Sequence, residues 1–448
     1  MANQVTEPVA LDKTLQKVAN KLGEIRNVLG ERHSGTIYGF HIDSSESDPE
    51  TAVTYLEDAS GFSPAYMDFT NGRFVWGSWA NAFFLPKPCM LKYDGTVDYY
   101  LDPNNYAYKE DGSASDVADT SYGGNAMMEW GQNGKKIWHK IVPDSADATS
   151  VSVYIADFQV DEDYHAWAFI NNQGEYVDHF YTPIYNGAIV NDGEKDVLRS
   201  ISGIAGSSLC KSKTAAVERT MAKNNNPDLD IWDTEVYCDI ILIQLLLTLM
   251  SKSLQSQTAF GQGLHSSGNE TVNNGFTTGV HDAKGLFWGT NSGAAATYAN
   301  AVKVFGMENF WGFQWRRFAG LVNVNGTLKY KLTKGMQDGS EASDYVVSTT
   351  AADYAGYLEG GALPSASGSY IKKQEWSEDV PTPTDVSGSA STYYCDAMWT
   401  NLSAVCYAVR GGTSNSGALV GLWCLGLGTH AGGAGWAVAA APSCKPLS

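Results

Sequence analysis

The stretch "CDIILIQLLLTLM", residues 238–250, holds the longest apolar run of the chain, Ile240 to Met250, in its second half, interrupted near the middle by Gln244. A helix with no polar face to give to water has to be covered by protein or by lipid. This run is shorter than the roughly 20 residues that span a bilayer, so it reads as a buried helix and no membrane insertion is expected. The rest of the chain is large enough to cover it. With 448 residues, 43% hydrophobic and 12% aromatic, global disorder is excluded, and two or three folded units are expected.

The closing residues 410–448, "RGGTSNSGALVGLWCLGLGTHAGGAGWAVAAAPSCKPLS", pose the opposite problem. After Arg410 the only side chain charged at neutral pH is Lys445. Such a composition is wrong for a solvated tail and short of large residues for a core. It also contrasts with a net charge of −19, which argues against nucleic acid and anionic membranes as partners and suits a protein crowded into a multi-copy assembly. The opening "MANQVTEPVALDKTLQ" lacks the basic-then-apolar pattern of a signal peptide. The seven cysteines form no CxxC pair and no His cluster accompanies them, so reduced thiols, synthesis in a cytoplasm and no metal site are expected.

Residues 1–32 carry Leu11, Leu15, Val18, Leu22, Ile25 and Leu29 in the alternating spacing of a coiled-coil seam. Leu15, Leu22 and Leu29 at position a, with Leu11, Val18 and Ile25 at d, favour more than two strands. The segment predicts a short trimerisation helix, an amphipathic helix packed on its own domain being the other reading. Residues 33–130 predict a β-rich domain: "GTIYGFHI" and "GRFVWGSWANAFFL" carry β-branched and aromatic residues between Gly, Asn and Pro. A further β-rich stretch, "SVSVYIADFQV" and "YHAWAFINNQGEYV", precedes the apolar run, with Asp228 and Asp230 as its candidate caps. Residues 338–392 read as long loops punctuated by tyrosines and Trp376. The fold class expected overall is α+β.

Catalytic patterns are missing. The eight histidines are scattered, and no HExxH, Walker loop, GxSxG or dinucleotide glycine fingerprint occurs. Asp102, Asn104, Asp111 and Asp116 offer oxygens, but the spacing of a calcium loop is absent. No catalytic residue, metal or cofactor is expected, and the chain reads as a non-enzyme.

Three segments carry a resemblance. "DIWDTEVYCDIILIQLL", "VFGMENFWGFQWRR" and "AVRGGTSNSGALVGLWCLGL" follow the order of the helix, Trp-rich turn and RGGS-containing strand in the C-type-lectin-like fold of formylglycine-generating enzymes. Cys406, Cys424 and Cys444 do not match that family's catalytic cysteine spacing, so only its fold is implied. The ending "WTNLSAVCYAVRGG…GWAVAAAPSCKPLS" more closely resembles retroelement-diversified variable proteins, many of them phage tail-tip receptor-binding proteins. The resemblance implies a C-type-lectin-like domain over residues 131–448 with a variable segment at about 393–441. It implies a virion adhesin, a homotrimer held beside other phage tail proteins, that binds a host cell-surface protein or glycan. A tail-associated glycan-degrading enzyme or a structural tail or baseplate component are the alternatives.

On that reading the receptor-binding positions are Tyr393, Asp396, Trp399 and Asn401, then Thr413, Ser414, Ser416, Ala418 and Val420. Leu422, Trp423, Thr429, His430, Gly432, Gly433 and Gly435 complete them. Arg410, Gly411, Gly412, Gly417, Gly421 and Trp436 would be the fixed frame. The competing explanation is that the glycines and alanines serve close backbone packing. Arg316 and Arg317 are candidates to clamp an acidic ligand, with at least one pairing with a carboxylate beneath the binding loop.

Overall fold

The apolar run forms the helix Tyr237–Ser251, and every residue of it is buried. Each Leu or Ile enclosed in this way contributes about 1.5–3 kcal/mol relative to exposure. Gln244, the polar break, donates its side-chain amide to the Leu422 carbonyl at 2.8 Å. The helix is entered from the short strand Trp232–Thr234 rather than capped by Asp228 or Asp230, and it ends at Lys252 in the left-handed conformation (φ 54°). A computed structural model describes residues 35–447 except 267, 296, 333–341, 346–355 and 378. The heptad helix expected over 1–32 lies outside the described residues.

Around the helix the chain is mostly β with few short helices, 35% strand against 13% helix, in several sheets that include a curled half-barrel. The α+β expectation therefore holds only in the coarse sense that both kinds of element occur. A four-stranded sheet runs in the order Val53–Glu57, Ile37–Ile42, Val151–Ala156, Trp138–Pro143. A six-stranded sheet runs Trp232–Thr234, Pro442–Cys444, Phe180–Pro183, Gly124–Trp130, Lys87–Lys92, Val97–Tyr100. Both sheets pair strands from either side of residue 130, where the sequence suggested a boundary, and Ile37–Ser448 forms one compact unit.

The largest sheet has eight strands. Its path runs Leu358–Ala362, Thr327–Tyr330, Trp315–Val324, Val405–Arg410, Leu425–Thr429, Ala397–Thr400, Ser367–Tyr370, and Val438–Ala439 pairs with the Trp315 strand. The described parts of residues 338–392 thus hold strands (Leu358–Ala362, Ser367–Tyr370, Lys373–Ser377, Val380–Asp385) where long loops were expected. Alternation there is masked by Gly, Ser and Pro, and among the described residues Tyr345, Tyr357 and Trp376 mark inward positions.

The closing segment is threaded through both large sheets. Its last strand, Pro442–Cys444, lies between Trp232–Thr234 and Phe180–Pro183. Small residues are required on that path: a Cβ on Gly187 would stand 2.1 Å from the Ala440 carbonyl oxygen. Lys445, the last cation, is buried with its Nζ 2.9 Å from Asp239 Oδ1 and 3.2 Å from Cys238 Sγ, at the start of the central helix. All seven cysteines are buried and free, and burial raises their thiol pKa values.

Breaking the Lys445 pair should show how firmly it anchors the segment. Lys445→Met strands a buried carboxylate and is expected to cost about 3–5 kcal/mol in urea denaturation. Adding Asp239→Asn should return most of that loss, because the two sites are coupled. A double variant no more stable than the single one would contradict this role.

Candidate functional site

The strand Val405–Arg410 ends on a buried cation. Arg410 NH2 lies 2.6 Å from Glu235 Oε1, its NH1 donates to the Phe310 carbonyl at 2.6 Å, and its guanidinium sits 3.7 Å from the Phe310 ring centroid. Burial pulls the guanidinium down to about 10, against the opposing pull of Glu235. Gly411 and Gly412 follow at φ 82° and 72°, a backbone conformation that glycine adopts freely. A side chain on Gly412 would also strike Val420, at 2.4 Å. The chain turns here into the loop "TSNSG", whose Thr413 N–H donates to Ser416 Oγ at 3.1 Å.

That loop forms one wall of a groove of about 500 Å³. A row of cross-strand neighbours forms its floor: Ser367 faces Trp399, Trp399 faces Gly426, and Gly426 faces Val409. Gly426 leaves room for Val409, whose Cγ2 would stand 2.6 Å from a Cβ there, and the Trp315 ring lies at ordinary contact distance from the same point, 3.5 Å. Trp315 and Trp399 meet edge to face, centroids 5.1 Å apart and planes at 84°. Trp436 joins the lining, held by a bond from Gln314 Nε2 to its carbonyl (2.7 Å) and by the adjoining bond from Trp315 N–H to the Ala437 carbonyl (2.8 Å).

Of the positions expected from sequence, the groove gathers Trp399, Asn401, Thr413, Ser416 and Thr429. Ala418, His430 and Gly432 are exposed, and Tyr393, Gly433 and Gly435 are half-buried, all outside this lining. The remainder correct the sequence reading, because their side chains serve the interior. Ser414 is fully buried and donates to Asn273 Oδ1 at 2.6 Å. Trp423 is buried edge-on against Trp376 and Tyr394. Val420 packs at Gly412, and Leu422 is buried beside the central helix, to which its carbonyl is bonded. Asp396 is buried and accepts the Trp423 N–H at 2.7 Å, and burial pushes its carboxyl well above the usual carboxylate range.

Trp315, Ser367 and Asn415 were not singled out as site residues by sequence, and Trp436 was assigned to the frame. Only the strand order brings positions 315, 367, 399 and 436 to one surface. Arg316 and Arg317 are not ligand clamps: Arg316 Nε lies 3.4 Å from Glu235 Oε2 and Arg317 Nε 2.7 Å from Glu218 Oε2, all buried. Arg317 also donates to the carbonyls of His430 (3.3 Å) and Gly433 (2.7 Å), so the loop beside the groove rests on a buried ion pair. A scan against protein-family models gives no match for this chain, and a search of curated proteins gives none either.

The burial of Asp396 yields a pH test. A folded-state pKa raised above the ordinary 3.8 means that its contribution to stability is complete below that value and is lost as pH rises through the folded pKa. Asp396→Asn keeps an acceptor for the Trp423 N–H and removes the titration. Thermal melts should find this variant more stable than the parent at about pH 8, with the advantage shrinking toward about pH 4. Equal stability at both pH values would mean that Asp396 is not held as an interior carboxyl.

Proposed function

We propose that this chain is a phage tail-tip adhesin that recognises a host cell-surface receptor through the groove between Trp315, Trp399 and the loop after Arg410. The observation that carries the reading is the convergence of Trp399, Asn401, Thr413, Ser416 and Thr429 on one concave surface. In the sequence those residues are spread through the segment that resembles diversified receptor-binding regions. A rigid sheet beneath and polar side chains above is how a binding site tolerates change without unfolding. On this reading the domain is C-type-lectin-like, the segment is diversified, and the heptads of residues 1–32 bring three copies together beside other tail proteins. Three weak sites on one tip would then bind through avidity.

The glycan-degrading alternative needs an acid and a base flanking its substrate. Among the described residues no carboxylate lines this groove, so nothing on it favours such chemistry.

Two outcomes are expected. Light scattering should give three times the chain mass, and removing residues 1–30 should weaken the association; a monodisperse monomer at micromolar concentration would contradict the trimer. Exchanging Asn401, Ser416 and Thr429 for other polar residues should change stability by no more than about 0.5 kcal/mol each. The same exchange should abolish or redirect adhesion to bacterial cells, read by pull-down on a panel of bacterial isolates. Unchanged adhesion would place the receptor site away from the groove.

A further inference from the structure

The groove's chemistry narrows what it can hold. Its volume, about 500 Å³, is that of a small-ligand site, whereas a stable protein interface covers about 800 Å² on each partner. Every described side chain lining it is uncharged, in a chain of net charge −19. An ion entering this groove would lose water and find no counter-charge, which is costly. A neutral ligand meets no such penalty.

The largest apolar side chains of the lining are aromatic, beside Ala366, Val409 and Ala437. Trp315, Trp399 and Trp436 are all half-buried, so each indole is fixed in place while part of it stays open to the groove. Held edge to face, Trp315 and Trp399 present surfaces in two orientations instead of one flat slot. Indole faces pair with C–H-rich surfaces through burial and weak C–H contacts. The polar part is made of neutral donors and acceptors. Among the described residues, the Asn415 amide nitrogen, the Asn401 amide nitrogen and the Thr429 hydroxyl have no protein partner, and all three residues line the groove. A ligand with C–H faces and a rim of hydroxyls satisfies both halves at once.

We infer that the groove binds an uncharged pyranoside, a neutral hexose or N-acetylhexosamine unit at the end or side of a surface glycan, stacked on the paired indoles and hydrogen-bonded by Asn401, Asn415 and Thr429. This rests on the receptor-binding reading above and assigns its ligand class. Affinity for one unit is expected to be weak, with multivalent display making up the difference.

The test uses the full chain on an array of glucose-, galactose-, mannose- and N-acetylglucosamine-terminated oligosaccharides beside sialylated, uronic-acid and phosphorylated ones. Binding to a subset of the neutral glycans is expected, with tryptophan fluorescence changing on titration of the same sugar. Trp399→Ala should weaken it about tenfold or more, and Thr429→Val, which removes only a hydroxyl, should weaken it with the melting temperature kept. Acidic glycans bound as well as neutral ones, or neutral binding indifferent to both variants, would overturn the assignment. Bacterial adhesion separates the two levels. Adhesion lost after periodate and kept after trypsin supports a glycan. Adhesion lost after trypsin and kept after periodate, with a silent array, overturns the glycan class and leaves the receptor reading standing. Failure to bind any cell or any glycan overturns both.

Discussion

Glu235 is the junction on which the described structure depends. It stands between the strand Trp232–Thr234 and the central helix, and its backbone N–H donates to Ala441 while its carbonyl accepts the Ala319 N–H. Its carboxylate faces Arg316 and Arg410, both buried, so one side chain joins the long strand of the largest sheet to the strand that leads into the groove. A buried ion group of this kind adds little net stability, because desolvation offsets attraction, but it strongly penalises any arrangement that leaves one charge unpaired. The register of three strands is thereby tied to one carboxylate. Arg410 can turn the chain into Gly411 and Gly412 only where Glu235 and the Phe310 carbonyl receive it.

The composition of the closing segment follows from that placement. Its residues serve two purposes in alternation: strands that pass through the centres of two sheets, and loops that face outward beside the groove. Strand positions require small or apolar side chains, since the Ala440 backbone comes within a Cβ radius of Gly187 and the Val409 side chain leaves no room for a Cβ on Gly426. Loop positions accept polar ones because Arg317, held by Glu218, supports the His430–Gly433 turn from beneath. Lys445 is the remaining charge because Asp239 requires it. The two explanations open at the level of sequence, close packing and a displayed site, apply to different residues of the same segment.

The legible parts of the sequence were those with a strong local signal. The central helix is readable from its apolar run alone, and the strands Ile37–Ile42 and Val151–Ala156 from their β-branched and aromatic residues. The strands within residues 358–385 were hidden by Gly, Ser and Pro, whose local preference is for turns. A boundary near residue 130 could not be tested by composition, because the pairing of Ile37–Ile42 with Val151–Ala156 joins residues more than a hundred positions apart. The same limit applies to the groove. Trp399 and Thr429 were among the receptor positions that the resemblance implied, while Trp315 beside two arginines was indistinguishable from core. Ser414 and Ser416 differ by two positions on one loop, and only the turn at Gly411 and Gly412 sends the first toward Asn273 and the second toward the groove.

The central claim is that residues 405–445 are structural wedge and displayed rim at once, which hydrogen exchange resolved by residue measures directly. Amides of the strands Val405–Arg410 and Leu425–Thr429 and of Pro442–Cys444 that bond across the sheets should exchange only through global unfolding, like those of the central helix. Amides of the loops at 415–419 and 430–436 should exchange orders of magnitude faster. Uniformly fast exchange from residue 405 to 445 would contradict the account, since a segment that opens as a tail cannot hold the two sheets together or fix the groove between them.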